Sequence, residues 1–258
     1  MKLTLPLAIV SAFFIALPLT ANAADMAIKT SAPPPPPSFN WTGCYFGGNA
    51  GVARTNYSAT LETVAAAPLL TPLNTAAGNA AASGGQVGCD YQPNGSSWVV
   101  GLRGMWDGTT IKTNSQGGTP VGAVIATSAL NSKATAFGTA VARVGYSLTP
   151  ALMFYGTGGV AFAANKYSQT FQIPPGATFQ FNGNDTPVGW TAGVGASWML
   201  SPNWDFFVEY SYLGFANRTV TTTGIGPIAN NVRQDVQTIL AGIDFRFTNW
   251  AGGQFGLR

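Results

Sequence analysis

The sequence predicts an all-β fold, a single antiparallel transmembrane β-barrel with about eight strands, and three observations support it. Only 8% of the 258 residues are charged, whereas soluble domains have about 25%. The chain holds 32 glycines and 12% aromatic residues, and no second apolar stretch reaches the ~20 residues of a spanning helix. Apolar and polar residues alternate along several segments. Because a surface with so few charges has to meet lipid, a closed barrel that pairs every backbone polar group is expected.

The amino-terminal part of the chain predicts an export signal and a spacer. Residues 1–23 combine a positive start, an apolar run and a small-x-small motif, so we expect a signal peptide cleaved between Ala23 and Ala24. An uncleaved membrane helix is the alternative. Residues 24–40 contain consecutive prolines at 33–37, which cannot enter a β-ladder and favour a polyproline helix. We expect a Pro-rich periplasmic linker here, with a periplasmic ligand tether as the alternative.

Short and long connections alternate between residues 41 and 247, which we expect to form the barrel. Short turn signals stand at 93–96, 149–151 and 201–203, and long polar segments run over 56–83, 107–132, 165–187 and 216–235. Short periplasmic turns and long extracellular loops in these numbers join eight strands and leave both ends of the barrel in the periplasm. Residues 248–258 are expected to be a C-terminal extension.

Period-two alternation is clearest toward the end of the chain. In residues 188–200 one parity holds tryptophan, valine, alanine and leucine, and the other holds mostly glycine, threonine and serine. The same pattern runs through 204–212 and 238–247. We expect the bulky set to face lipid and the small set to face an interior that side chains just fill; a soluble lipocalin-like barrel would reverse the two faces. The aromatic residues expected at the membrane interfaces are Trp98, Trp190, Trp198, Trp204, Tyr210 and Tyr212.

Six short segments resemble a known family. They are WTGCYFGGNAG at 41–51, GGQVG at 84–88, ARVGY at 142–146, YGTGGVA at 155–161, VGWTAG at 188–193 and EY at 209–210. In order and spacing they are similar to the outer-membrane immunogenic proteins, opacity-like small porins of Gram-negative bacteria, over nearly all of 41–247. The resemblance implies an eight-stranded, surface-exposed and antigenic barrel in the cell outer membrane, porin-like in some members and without catalytic residues.

The chain departs from this family at three places. Members often carry aromatic residues at the positions of Cys44 and Cys89, and acidic residues at those of Arg103 and Met105. Such barrels also commonly end on the aromatic residue that the barrel assembly machinery reads, whereas this chain continues beyond Phe247. The partners that the resemblance implies are outer-membrane lipids, lipopolysaccharide and the barrel assembly machinery. The loops specify no ligand.

The predicted parity turns seven charged side chains inward. They are Asp90, Arg103, Arg143, Asp205, Glu209, Asp244 and Arg246. An unpaired charge in a poorly hydrated lumen is costly, so these groups are expected to pair. They form either a salt-bridge plug or the lining of a small gated pore. The plug is favoured, because a water-filled porin channel has about 16 strands.

The two cysteines fall on the first and second predicted strands, on the same outward face. The strand pairing that sets Trp41 near Gln92 also sets Cys44 near Cys89. Two interpretations fit this position: a disulfide formed in the oxidising periplasm, or two small lipid-facing side chains.

Catalytic and nucleic-acid functions have little support in the composition. The chain contains no histidine, so neither a Ser-His-acid triad nor a His-ligated zinc site can be built, and we expect no enzyme, no metal and no cofactor. The glycine-rich segment 156–159 lacks the Lys-Ser/Thr of a phosphate loop. A net charge of +3 is too mild for nucleic-acid binding. We expect a surface barrel with a structural, envelope-integrity and antigenic role; the alternatives are a porin-like channel for small solutes and an adhesin that binds through its extracellular loops.

Overall fold

The structure is a computed structural model that describes residues 39–64, 67–121, 124–224 and 226–247. The predicted signal peptide with its cleavage site, most of the proline-rich linker and the C-terminal extension lie outside the described residues. Within them, no helix is both long enough and apolar enough to cross a membrane.

The described residues form ten β-strands. In chain order they are β1 (Gly43–Val64), β2 (Ala67–Pro72), β3 (Ala76–Tyr91), β4 (Trp98–Val121), β5 (Val124–Thr149), β6 (Leu152–Ile173), β7 (Ala177–Asp185), β8 (Val188–Ser201), β9 (Trp204–Thr223) and β10 (Pro227–Phe247).

Eight of these strands close into a ring. Each strand pairs antiparallel with its neighbours in the order β1, β3, β4, β5, β6, β8, β9, β10, and β10 returns to β1. The closing ladder includes Cys44 opposite Phe247 and Ala50 opposite Ala241. Strand β2 pairs with β1, and β7 pairs with the later part of β6. The predicted antiparallel eight-stranded barrel is confirmed, and β2 and β7 are additions to its long-connection end.

Short turns join the ring strands at one end of the barrel, as the turn signals predict. Residues 92–97 join β3 to β4, 150–151 join β5 to β6, and 202–203 join β8 to β9. Each connection contains a proline, which lacks the N–H needed to continue a ladder. Gly95 has a φ of 74°, in the left-handed region that favours glycine.

The long polar connections at the other end consist mostly of paired strand. Strands β4 and β5 contain 24 and 26 residues, whereas about 9–11 residues are enough to cross a membrane. Polar composition predicts loops here, but the inward face is buried. It holds apolar residues such as Ile111 and Leu130 beside polar ones such as Ser128 and Gln169. One buried face and one polar face suit an antiparallel sheet in water. The hairpins therefore continue the barrel wall beyond the membrane.

The outward face of the lower part of the barrel is a belt of exposed apolar side chains. This apolar belt includes Phe46, Val87, Leu102, Trp106, Val144, Phe154, Val160, Val194, Val208 and Ile243. Trp98, Trp198 and Trp204 are exposed near the short turns, and Trp190 is exposed at the other margin. Trp98 packs against Tyr146 with ring centroids 5.2 Å apart, and Trp190 packs against Tyr212 at 5.4 Å. The bulky parity thus faces outward, as the alternation predicts.

The interior holds larger side chains than the alternation predicts. Phe207, Met199 and Tyr155 are buried on the inward face. Glycines on neighbouring strands make room for some of them: a Cβ at Gly242 would lie 2.5 Å from the Phe207 ring, and one at Gly195 would lie 2.6 Å from the Tyr155 ring. Large and very small residues side by side fill the narrow lumen that eight strands leave.

Candidate functional site in the barrel interior

Two buried arginines share one carboxylate near the short-turn end of the barrel. Arg143 Nη1 and Arg246 Nη2 each lie 3.2 Å from Asp90 Oδ2. Arg246 Nη2 also lies 3.4 Å from Asp205 Oδ1. None of these four side chains is more than 2% exposed. Two cations and two anions make the cluster neutral, which reduces the cost of keeping four charges out of water.

The Arg143 guanidinium is held by aromatic and hydroxyl groups as well as by Asp90. Its Cζ lies 3.7 Å from the centroid of the Tyr155 ring. Nη2 donates a hydrogen bond to Ser197 Oγ at 2.7 Å, and Nη1 donates to the Tyr45 hydroxyl at 3.3 Å. A guanidinium suits this place because it can donate in several directions and stack on an aromatic face at the same time. The contacts fix the side chain across the lumen.

Arg246 connects the charge cluster to Trp41, which lies just before the first strand. Its Nη1 donates a hydrogen bond to the Trp41 carbonyl oxygen at 2.7 Å, and the Trp41 side chain is fully buried. The Trp41 N–H donates to Gln92 Oε1 at 3.1 Å, which is the proximity that the strand pairing predicts. Trp41 packs with Val99 and Met153 in an apolar cluster below the charges. This cluster covers the short-turn end of the lumen.

A second ion pair lies farther along the interior. Arg103 Nη2 is 2.6 Å from Glu209 Oε1, and their side chains are 2% and 4% exposed. The Ser211 hydroxyl donates to the same Glu209 oxygen at 2.8 Å. Asp244 has no arginine partner within salt-bridge distance in the described residues; it accepts a hydrogen bond from Gln86 Nε2 at 2.6 Å.

All seven charged residues singled out from the sequence lie on the inward face and are buried. The structure brings six of them into ion pairs: Arg103 with Glu209, and Asp90 with Arg143 and Arg246, the latter also with Asp205. The Arg103–Glu209 pair joins β4 to β9 on opposite sides of the ring. The two Asp90 pairs join β3 to β5 and to β10, and the Arg246–Asp205 pair joins the neighbouring strands β10 and β9. The arrangement can hold the wall strands together across the lumen.

Sequence reasoning missed Asp107, which is fully buried. It stands at the start of a long polar segment, where the composition suggested a loop. Its position continues the inward parity of Arg103 and Met105, and this signal could have identified it. Asp107 lies beside the buried Asn49, and neither side chain has a partner within hydrogen-bond geometry in the described residues.

An apolar layer separates the charged interior from the long hairpins. Its core members, all buried, are Ala53, Ala82, Met105, Ile111, Ala134, Phe137, Ala161, Ala163, Leu213, Phe215, Val236 and Leu240. Beyond this layer Arg218 pairs with Asp185 and donates to the Tyr167 hydroxyl at 3.1 Å. Burial raises the pKa of Tyr167, which keeps its phenol neutral. Polar and apolar layers therefore alternate along the whole interior.

Cys44 and Cys89 lie opposite each other on β1 and β3. Their sulfur atoms are bonded at 2.06 Å. Both residues point away from the lumen, and Leu102 continues the row on β4. The bridge joins β1 to β3 at the short-turn end of the first hairpin.

We expect the unfolded, unreduced protein to contain no reactive thiol, because both of its cysteines are in this bond. Titration with a thiol reagent in denaturant measures this directly. The same sample after reduction should give two thiols, and Cys89→Ser should give one thiol in either state. Two reactive thiols without reduction would contradict the bridge.

Among the residues that the structure describes, no group of three or more aspartate, glutamate or cysteine side chains could hold a metal ion.

Residues 13–247 match the family described as outer membrane protein beta-barrel domain. The 31 kDa outer-membrane immunogenic proteins of Brucella melitensis biotype 1 and Brucella suis biovar 1 are each 29% identical to the chain over 235 residues, which is 88% of this chain and 94% of theirs. The solved outer membrane protein OprG of Pseudomonas aeruginosa matches with a TM-score of 0.49 and 13% identity, over 82% of this chain and 99% of that one. The family match covers most of the chain, and the chain therefore belongs to the outer-membrane β-barrel proteins.

Proposed function

We propose that this outer-membrane protein is a closed structural barrel that reinforces the cell envelope and presents its long hairpins at the surface as antigens. The observation that carries the proposal is the interior charge network, in which buried ion pairs connect strands across the lumen and Arg103–Glu209 connects opposite sides of the wall. The lipid of the outer membrane surrounds the belt. The relatives named as immunogenic proteins support the antigenic part.

The burial of the interior charges favours a closed lumen over a channel. Arg103, Arg143 and Glu209 are at most 4% exposed to water, whereas residues that line a hydrated pore are in contact with it. The apolar layer beyond them adds a second barrier, because ions do not cross a dry apolar zone without a large desolvation penalty. Both features support a structural role in preference to a porin-like one.

The other partners in the proposal are lipopolysaccharide in the outer leaflet and the barrel assembly machinery. The last strand ends in Phe245 and Phe247, whose rings stand 5.1 Å apart and pack against Phe46 on β1. An outward-facing aromatic pair at the closing seam is a suitable signal for assembly. The lack of any histidine in the chain supports a role without catalysis.

We expect the folded protein to be silent in a planar lipid bilayer. The double variant Arg103→Ser/Glu209→Ser removes one ion pair and its bulk from the lumen but leaves the apolar layer in place, so its openings should be only small and intermittent. Conductance recorded after folding has been checked by the heat-dependent shift in gel migration measures both.

The matched control is Arg233→Ala/Asp235→Ala, which removes an ion pair on the outer surface and should stay silent. Regular stepwise openings of the unaltered protein would contradict the proposal and put a porin-like channel in its place.

A further inference from the structure

Three lysines stand side by side on the outer surface of the barrel. Lys112 on β4 lies directly opposite Lys133 on β5, and Lys133 lies directly opposite Lys166 on β6. All three are exposed and point away from the lumen. The other two lysines of the chain, Lys2 and Lys29, precede the barrel. Every lysine of the barrel therefore belongs to this one row, which we call the lysine row.

Two β-bulges just below the row produce its alignment. The β4–β5 register shifts between Gly108 and Ile111, where β4 has an extra residue, and the β5–β6 register shifts between Ala134 and Ala136, where β5 has one. Without these shifts Lys133 would face Ile111 on one side and Tyr167 on the other. Bulges re-aim side chains and are often found near functional sites. Here they bring three positive charges into line.

Such a row is unfavourable unless an anion neutralises it. Neighbouring strands are about 4.8 Å apart, and like charges directly opposite each other destabilise a sheet. In the part of the chain that the structure describes, no carboxylate lies within 4.0 Å of these ammonium groups. The nearby acids Asp107 and Asp185 belong to the inward parity of their strands. The opposite wall is different, since its Arg233 has Asp235 beside it.

The lysine row borders an open cleft of about 960 Å³ that is lined by amides and hydroxyls. Asn114 and Asn131 form the next row, with Asn114 Nδ2 donating to Asn131 Oδ1 at 2.6 Å. Asn184 continues the lysine row onto β7, opposite Lys166. Ammonium groups next to amide N–H donors are suited to an anion with several acceptor oxygens, and a phosphate group has them.

The height of the row above the membrane identifies the source of the phosphate. Lys166 follows the belt residue Val160 by six positions, and Lys112 follows Trp106 by six. At about 3.3 Å per residue and a strand tilt of about 40°, the row lies roughly 15 Å beyond these two belt residues. The headgroup layer is about 5–8 Å thick, and lysine side chains extend along the surface to reach it. At this height, the extended ammonium groups are within reach of the phosphorylated part of the outer-leaflet glycolipid.

We propose that the lysine row is a binding site for the phosphate groups of lipopolysaccharide, with Lys112, Lys133 and Lys166 as its cationic donors. The proposal rests on the proposed function as a surface barrel and adds a specific lipid contact on one side of it. Neutralisation of the row by lipid would stabilise the hairpins of β4, β5 and β6 where they leave the membrane.

The test compares two double variants that each remove two exposed positive charges. Lys133→Gln/Lys166→Gln alters the row, and Arg54→Gln/Arg233→Gln alters the opposite wall. Binding of purified lipopolysaccharide to the folded protein in detergent is measured, with dephosphorylated lipopolysaccharide and inorganic phosphate as further probes. The row variant should bind about 25-fold more weakly, since each lysine near an anionic surface contributes roughly fivefold. The control should stay within about twofold, and binding should fall with added salt.

Thermal stability provides a second readout that a purely structural role would not produce. Without lipopolysaccharide the row variant should unfold at the same temperature as the unaltered protein or higher, because repulsion within the row is relieved. With lipopolysaccharide the order should reverse. A row variant that is less stable without lipid would overturn the proposal.

Three binding outcomes would also overturn it: equal weakening in both double variants, undiminished binding of the dephosphorylated lipid, and inorganic phosphate binding as tightly as the lipid. The last would assign the row to free phosphate. None of these outcomes alters the conductance of the barrel, so failure here is distinguishable from failure of the proposed structural role.

Discussion

Asp90→Ala should lower the free energy of unfolding by about 3–5 kcal/mol, the range observed when one partner of a buried ion pair is removed. The loss should lie at the upper end of this range, because one carboxylate oxygen of Asp90 pairs with both Arg143 and Arg246. Asp205 reaches only Arg246, so Arg143 would keep its charge in the lumen without a carboxylate. Urea-induced unfolding in lipid vesicles, followed by tryptophan fluorescence, measures the change.

Asp235→Ala is the matched control for this prediction. Its partner Arg233 is 63% exposed, and exposed pairs contribute about 0–1 kcal/mol. The same deletion of a carboxylate should therefore have a small effect outside the barrel and a large one inside it. A loss at Asp90 no greater than that at Asp235 would show that the cluster does not stabilise the barrel.

Single replacement of Arg103 by methionine or of Glu209 by leucine should each cost about 3–5 kcal/mol, whereas the double variant should recover most of that loss. The reason is the asymmetry of buried pairs: one orphaned charge is costly, while two apolar side chains of similar volume are close to neutral. The pair is short, at 2.6 Å. A double-mutant cycle by urea unfolding gives the coupling energy.

The double variant should fall slightly short of full recovery, because Ser211 loses the acceptor for its hydroxyl. Adding Ser211→Ala should remove this remaining deficit. If instead the two single losses simply add, Arg103 and Glu209 act independently and the interior is not organised in pairs.

Alternation along the strands made the barrel predictable from sequence. In β8 and β9 each residue belongs to one of two faces, and a single parity assignment places Trp190 outside and Glu209 inside. The same assignment places Arg143 and Asp90 in the lumen. Parity depends only on neighbours within a strand, which is why one sequence is enough to read it.

Pairing across the lumen could not be predicted in this way. That Glu209 meets Arg103 while Arg143 meets Asp90 depends on the stagger of strands around the ring and on side-chain reach. Asp107 was missed because the polar composition of residues 107–132 predicted a loop, and the alternation of a strand is hard to see where both of its faces hold polar residues. The lysine row was missed because it depends on bulges at β4 and β5, and a bulge shifts register without an evident mark in the sequence.

The length of the hairpins has a consequence for immune recognition. From Trp106 to Val121, β4 runs 15 positions, roughly 50 Å along the strand and about 35–40 Å of height after tilt. This part of the wall is ordered by cross-strand pairs, so neighbouring positions of an epitope come from different strands. Gln116, Ala129 and Thr170, in register on β4, β5 and β6 beyond the lysine row, are one such surface, contiguous in space and far apart in the chain. Antibodies raised against the intact cell therefore bind conformational epitopes. A linear peptide with the sequence of one strand contains only the residues that this strand contributes to such an epitope.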